Sequence, residues 1–563
     1  MDSIFLDITV IICVAAFLSF IFRLLHQPEI LAYILTGILL GPLGLFQIHS
    51  VSALITLGDV GITLLLFMLG LELRLKDFAS IGKTAVIIGL LQIWFTFVLG
   101  FFFSRLIGYP ITPSFFIAVA LTISSTVIIV KLFSDKKDLH SLHGKLAIGI
   151  SLTQDLAAVL LLIFLSDTHF SLTPIVLAEQ VCFLLLKIVL VFAVITFISY
   201  RIFPFLTSYI ARSSESLFLF SLAWVFLLTA VIASPFIGFS IQIGGFLAGL
   251  ALANTNETYQ IVGRMKPLRD FFITIFFVML GLQMSFAHVF LILPQVLLLT
   301  FFALIIKPII VFLLTSAFGF RKRTSFLASV SLGQISEFSL LVVFLVSRLH
   351  YLSTDVETTI ILAGLISFAA STYAVQSSGY LYKLFGEYLN FFETKHVHHL
   401  QNDDDNEDLE NLRNHLVIIG GHQMGMSVIK SLEKDENVLV VDFDPDIVHE
   451  LRKKGIRSFF GDISDPEIQE RARLDKARMV VSTVPDIEDN LLLIERLNKE
   501  NKKAKIVVMA YELEDAKRLY KAGADYVVLP HLAGGRLLAK ILKDEDLSEI
   551  EKYRKKDMEF AFD

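Results

Sequence analysis

The sequence predicts a polytopic α-helical membrane protein of about thirteen spans joined to a cytoplasmic Rossmann-like α/β domain. Composition is the first reason: 55% of the 563 residues are hydrophobic and 18% charged, a balance unlike that of a soluble enzyme. Charge placement is the second, because the first 385 or so residues carry few charges while the remainder is dense in Lys, Glu and Asp. Periodicity is the third. Long apolar runs give way after His415 to short apolar stretches alternating with helical patterns. The expected limits are 1–385 for the membrane domain, 386–414 for a charged linker, 415–545 for the Rossmann-like domain and 546–563 for a charged tail.

A net charge of −6 gives no nucleic-acid signal. The two cysteines, Cys13 and Cys182, both sit in apolar stretches, so no disulfide framework is expected. The N-terminus lacks a basic region and carries Asp2 and Asp7, which reads as a retained span rather than a cleaved signal peptide.

The candidate spans are 4–24, 29–45, 51–73, 83–107, 112–133, 143–166, 172–203, 214–233, 239–254, 266–285, 289–318, 324–349 and 355–385. The second and ninth fall below the roughly 20 residues of a straight crossing, and short or polar-interrupted spans are what transporters place around their sites. One set of loops carries Arg23; Arg74, Lys76 and Lys83; Lys131, Lys136, Lys137 and Lys145; Arg201 and Arg212; Arg264, Lys266 and Arg269; and Arg321, Lys322 and Arg323. The alternate set carries only Arg105 and Arg348. Positive charge marks the cytoplasmic side, so the N-terminus is expected outside and the C-terminal domain in the cytoplasm of a cell with this protein in its inner membrane.

Asp155 is the most informative residue. It is the only ionisable group between Leu146 and Leu165, about half way along a stretch long enough to cross a bilayer. A carboxylate there costs about 2.5–3.5 kcal/mol or more, which makes it an ion or proton site by default. Two spans are interrupted by small polar residues. The fifth reads Ala120-Leu121-Thr122-Ile123-Ser124-Ser125-Thr126-Val127 and the twelfth Ser331-Leu332-Gly333-Gln334-Ile335-Ser336-Glu337-Phe338. Hydroxyls and Gly can release backbone carbonyls, and half-helix ends then offer dipoles to an ion. Their mirrored positions fit an inverted repeat; small-residue helix packing is the alternative. Glu337 adds a second intramembrane acid. Lys307, before Pro308 in the eleventh span, needs a counter-ion, with Asp155 or Glu337 the natural candidates; snorkelling is the other reading. Lys187 has no motif around it and reads as structural, at a dimer or lipid interface. Asp59 and Glu72 lie in the third span, and Glu72 is close enough in sequence to Arg74 for an interfacial ion pair.

These pieces resemble the Kef-type potassium efflux systems of the monovalent cation:proton antiporter superfamily over nearly the whole chain. The matching residues are His26-Gln27-Pro28 with Gly37-Ile38-Leu39-Leu40-Gly41-Pro42, then Phe67-Met68-Leu69-Gly70-Leu71-Glu72. Ser124-Ser125-Thr126, Gln154-Asp155, Gly245-Phe246-Leu247-Ala248-Gly249, Lys266-Pro267-Leu268-Arg269-Asp270, Phe276-Phe277-Val278 and Glu337-Phe338 complete the set. The resemblance implies a homodimer with separate dimerisation and ion-binding bundles, the fifth and twelfth spans crossing at their broken centres beside Asp155, and elevator-type exchange of K⁺ against H⁺. Many sodium-translocating relatives carry Asp where Gln154 stands, and one fewer negative charge points to electroneutral exchange and to K⁺. The family usually places Gly before the Glu of the twelfth span; here Ser336 occupies that position. The ion-binding candidates are Asp155, Gln154, Ser125, Thr126, Glu337 and Lys307, with K⁺ at Asp155.

The linker holds His396, His398 and His399 ahead of Asp403, Asp404, Asp405, Glu407 and Asp408, most simply a solvated tract and less simply a metal site. Beyond it, strands are expected at His415–Gly420, Asn437–Asp442, Ser458–Gly461, Arg478–Thr483, Ala504–Ala510 and Tyr526–Leu529. The turn Gly420-Gly421-His422-Gln423-Met424-Gly425 follows the first strand, and Asp442 ends the second about twenty residues later, a spacing that suits a diphosphate on the helix N-terminus and a ribose on the acid. His422 replaces the second glycine of that fingerprint, and a Rossmann domain that binds nothing is the alternative. Phe443, next to Asp442, and Thr483, closing the fourth strand, join the candidate set. The domain resembles regulators of potassium conductance (TrkA-N-like domains), in which the position of Asp462 often lies near the bound base; the resemblance implies NAD(H), an AMP-like molecule or a related nucleotide as regulator.

A nucleotide-regulated K⁺/H⁺ antiporter is therefore the expected function. A Na⁺/H⁺ antiporter on the same scaffold is the second reading and a ligand-gated K⁺ channel the third. No nucleophile, metal set or paired acids support an enzyme, and no nucleic-acid partner is expected; an ancillary regulatory subunit is compatible with the resemblance.

Overall fold

A computed structural model describes residues 3–72 apart from 45 and 47; 83–165 apart from 137, 139 and 140; 191–385 apart from 192, 193, 196, 200, 202, 212, 235–240, 254, 256 and 321; and 412–554 apart from 422, 433–436, 443, 444, 462, 464, 465, 485, 544–550 and 552. Most of the expected seventh span with Lys187, the loop with Arg74, most of the linker with its histidines, most of the charged tail, and His422, Phe443 and Asp462 lie outside the described residues. The chain forms two compact units, Met1–Leu139 with His143–Glu393, and Thr394–Asp563 with His140–Leu142.

The first unit is helical. Eight described helices are long and apolar enough to cross a membrane. The second and ninth spans are short, Glu29–Leu40 and Ile241–Leu252. Their helices pack in two groups. Ser3–Leu24, Glu29–Leu40 and Val51–Glu72 pack with Ser214–Ile232, Ile241–Leu252 and Thr258–Leu282. Lys83–Leu106 and the fifth span pack with the eleventh to thirteenth, and Leu142–Leu165 lays Thr153 against Gly89 of the fourth. Each group thus takes three spans from each half of the chain, the arrangement an inverted repeat produces.

Small residues set the closest approaches in the first group. A Cβ on Gly37 would run into the Val278 carbonyl, and one on Gly249 into the Phe67 carbonyl. Lipid offers no hydrophobic drive between helices, so backbone proximity of this kind supplies the packing energy. The two groups also touch through polar side chains. Arg348 pairs with Asp59 at 2.8 Å, and the Tyr373 hydroxyl donates to the Leu25 carbonyl at 3.2 Å.

Three spans depart from continuous helix. The fifth consists of Ile111–Thr122 and Thr126–Lys136, with Ile123 extended at φ −87°, ψ 140°. The twelfth consists of Lys322–Ser331 and Glu337–Arg348. Ser336, in the place the family usually gives to Gly, caps the second half-helix by accepting the Phe338 N–H at 3.1 Å. In the eleventh, Phe302–Ile306 is a π-helical turn between Val289–Phe301 and Lys307–Ala317. Pro308 lacks an N–H and its ring crowds the carbonyl four residues back, which the wider turn relieves.

The second unit holds a six-stranded parallel sheet in the order β3-β2-β1-β4-β5-β6. The strands are β1 Leu416–Ile419, β2 Val438–Asp442, β3 Ser458–Phe460, β4 Met479–Ser482, β5 Lys505–Met509 and β6 Tyr526–Val528. Each falls inside its expected segment. The order is that of a doubly wound Rossmann sheet, with its switch point between β1 and β4. In register, Ile419 lies beside Val441 on one side and Ser482 on the other. Apolar residues on both faces of β1 and β2 are buried, as helices on each side of a parallel sheet require.

Candidate functional site

The membrane site is built where the two broken spans meet Leu142–Leu165. Asp155, in the middle of that helix, is 1% exposed. Thr126, the first residue of its half-helix, donates from Oγ1 to Asp155 Oδ2 at 2.6 Å. Ser125 Oγ donates to Glu337 Oε2 at 3.0 Å. Asp155 and Glu337 therefore lie at half-helix N-termini, one beside Thr126 and one opening Glu337–Arg348, where the dipole favours negative charge.

The opposite ends carry the cation. Lys307 is fully buried and its Nζ donates to the Ile123 carbonyl at 2.9 Å and the Gln334 carbonyl at 2.8 Å. The expected hydrogen-bonded counter-ion is thus replaced by carbonyls that the two breaks release, and the burial of the ammonium excludes snorkelling. Acidic side chains thus meet half-helix N-termini and the lysine amine meets the released carbonyls at the crossing.

Amides and hydroxyls tie the crossing together. Gln154 Oε1 accepts the Ser124 N–H at 2.7 Å, and Gln154 Nε2 donates to Gln92 Oε1 at 2.7 Å. Gln92 Nε2 in turn donates to Thr96 Oγ1 at 2.9 Å and the Thr122 carbonyl at 3.2 Å. Ser124 Oγ donates to the Leu332 carbonyl at 2.9 Å, and Gln334 Nε2 to the Ser125 carbonyl at 3.2 Å, so each break binds the other. All six sequence candidates, Asp155, Gln154, Ser125, Thr126, Glu337 and Lys307, fall in this one network. Gln92 and Gln334 were not singled out, although a lone amide in an apolar span and an amide inside the Ser331–Phe338 segment were both visible signals.

In the second unit, β1 is followed by Gly420, whose φ of 91° favours glycine. A Cβ on Gly425 would run into the Gly420 carbonyl, and one on Gly421 would meet Ile447 and the Asp442 carboxylate. Asp442, buried at the end of β2, accepts the Gly421 N–H through Oδ2. Thr483 Oγ1, at the end of β4, donates to the Gly420 carbonyl at 3.0 Å. Gly420, Gly421, Gly425, Asp442 and Thr483 therefore converge at the switch point, where the helix Gln423–Ser431, which holds Met424, begins. The glycine cradle fits a nucleotide phosphate at that helix end. At the start of β1, His415 is buried with Nε2 2.9 Å from the Ala472 carbonyl, and burial pushes its pKa below the ordinary imidazole value.

A membrane unit with a buried acid at crossed, broken helices, followed by a parallel nucleotide-type sheet, defines the class as a helical ion carrier with an appended Rossmann-like domain. The chain belongs to the transmembrane sodium/hydrogen exchanger family, whose match covers residues 9–376, and is a multi-pass membrane cation/proton antiporter. Residues 416–530 match the TrkA-N domain. It is similar to the putative cation/proton antiporter YbaL of Escherichia coli (strain K12), 25% identical over 93% of this chain and 95% of that one. It is also similar to K(+) efflux antiporter 5 of Arabidopsis thaliana, 32% identical over 61% of each chain. Among solved structures, the sodium proton antiporter MjNhaP1 from Methanocaldococcus jannaschii matches 67% of this chain and 98% of its own with TM-score 0.50 and 17% identity, a likeness of fold.

Proposed function

We propose that the protein exchanges K⁺ for H⁺ across the cell inner membrane by alternating access, with Asp155 binding either ion, and that a nucleotide of the NAD(H) or AMP type bound at Gly420–Gly425 and Asp442 regulates the exchange. The observation that carries the reading is the Asp155 carboxylate, 1% exposed and hydrogen-bonded by Thr126 at the crossing of two broken helices. A carboxylate that holds a cation or a proton, but not both, links the two flows with no further machinery. Gln154, neutral and committed to Ser124 and Gln92, leaves Asp155 as the acid of the pair and supports electroneutral exchange. The relatives named as K(+) efflux antiporters support K⁺. The second reading, Na⁺/H⁺ exchange, is supported by the name of the matched family. The working unit in this reading is a homodimer with the N-terminus outside and the C-terminal unit in the cytoplasm, open to an ancillary regulatory subunit, and it acts as a carrier rather than an enzyme.

The test is flux in proteoliposomes loaded with a pH-sensitive dye, comparing K⁺ with Na⁺ for wild type and Asp155→Asn. A K⁺ gradient should drive proton movement in the wild type and none in the variant. Normal exchange by Asp155→Asn refutes the site, and a response to Na⁺ alone overturns the choice of ion.

A further inference from the structure

We propose that a cavity at the seam between the two helix groups binds a phosphate-bearing anion. The cavity has a volume of about 490 Å³, within the range of roughly 300–1,000 Å³ typical of small-ligand pockets. Arg23, His26, Gln27 and Glu29 line it from the first group, and Lys131 and Gln376 line it from the second.

The lining selects the sign and the chemistry of the ligand. Arg23 and Lys131 bring a permanent positive charge from each side, and guanidinium and ammonium groups are the usual partners of phosphate oxygens. The one carboxylate among these six, Glu29, accepts the Tyr33 hydroxyl at 3.1 Å. Gln27 stands behind these charges, 5% exposed, with its amide nitrogen and oxygen both closed off from the cavity, so the charged side chains carry the recognition. A metal cation would meet a net positive rim. Phosphatidylglycerol and free phosphate both carry the required group.

The position of the cavity gives the ligand leverage. Lys131 stands on the half-helix that opens with Thr126, the residue that hydrogen-bonds Asp155. An anion joining Lys131 to Arg23 ties that half-helix to the other group of helices. The inference rests on the lining and not on the exchange reading, and its test measures binding, so either can fail alone.

The experiment follows the thermal midpoint of the full-length protein in detergent. The probes are inorganic phosphate at ionic strength matched with chloride, and phosphatidylglycerol compared with phosphatidylcholine. The chains compared are wild type, Arg23→Gln/Lys131→Gln, and Arg201→Gln as a control for surface charge. The wild type and Arg201→Gln should be stabilised and the double variant should lose the shift. Stabilisation by both probes identifies the phosphate group itself as what is bound; stabilisation by the lipid alone identifies a headgroup. No shift with either probe in the wild type, or a wild-type shift in the double variant, overturns the proposal.

Discussion

Replacing Gln92 by Leu tests whether the polar network, rather than apolar packing, holds the crossing in shape. Leucine fills a similar volume, so the change isolates hydrogen bonding from cavity formation. Gln92 is fully buried and makes two bonds to other helices, accepting from Gln154 Nε2 at 2.7 Å and donating to the Thr122 carbonyl at 3.2 Å. Bonds between membrane helices average about 0.6 kcal/mol and reach about 1.7, so losing both should cost roughly 1–3 kcal/mol. The bond to Thr96, within one helix, adds only a little. The effect should extend to transport, because Gln154 then loses the partner that aims its carbonyl at the Ser124 N–H. The measurement is unfolding of the purified protein in increasing dodecyl sulfate, followed by fluorescence of Trp94 and Trp224, alongside K⁺-driven proton flux. A cost below about 0.5 kcal/mol together with wild-type flux would show that packing alone fixes the crossing.

Other substitutions probe the remaining parts. Lys307→Ala should lower unfolding stability by roughly 3 kcal/mol or more, since two buried carbonyls lose their donor and a cavity opens, and Lys307→Met should recover the cavity share only; unchanged stability in both would remove Lys307 from the site. Asp442→Ala should weaken NAD(H) or AMP binding measured by calorimetry, because the acid positions the Gly421 turn and is the proposed ribose partner; equal affinity would discard the switch-point site. The lowered pKa of His415 means the folded state binds fewer protons than the unfolded one. Stability of the second unit should therefore be full above about pH 6.5 and fall as pH drops from there through the lowered folded value. Amide-exchange protection factors in β1 of the full-length protein read this directly, and protection that is flat with pH, or the same acid response in His415→Gln, refutes it.

The sequence by itself determined the class of the protein and marked where its chemistry is proposed. Apolar length marked the segments expected to cross the membrane, loop charge gave an expected orientation, and alternation of strand and helix patterns pointed to a parallel sheet, because each depends on neighbours along the chain. Asp155, Glu337 and Lys307 stood out for the same reason: an ionisable group in an apolar run is costly wherever the run folds. Ser336 illustrates the margin, since a serine that caps and a glycine that bends produce the same break. What only the tertiary structure decided is which polar group meets which. Ser125 finds Glu337 across 212 residues of chain, and Lys307 takes two backbone carbonyls where a carboxylate was expected. Gln92 matters through a partner 62 residues away. In a medium without water every buried donor must settle on some acceptor, and the choice belongs to the packing of helices in space, which no local pattern records.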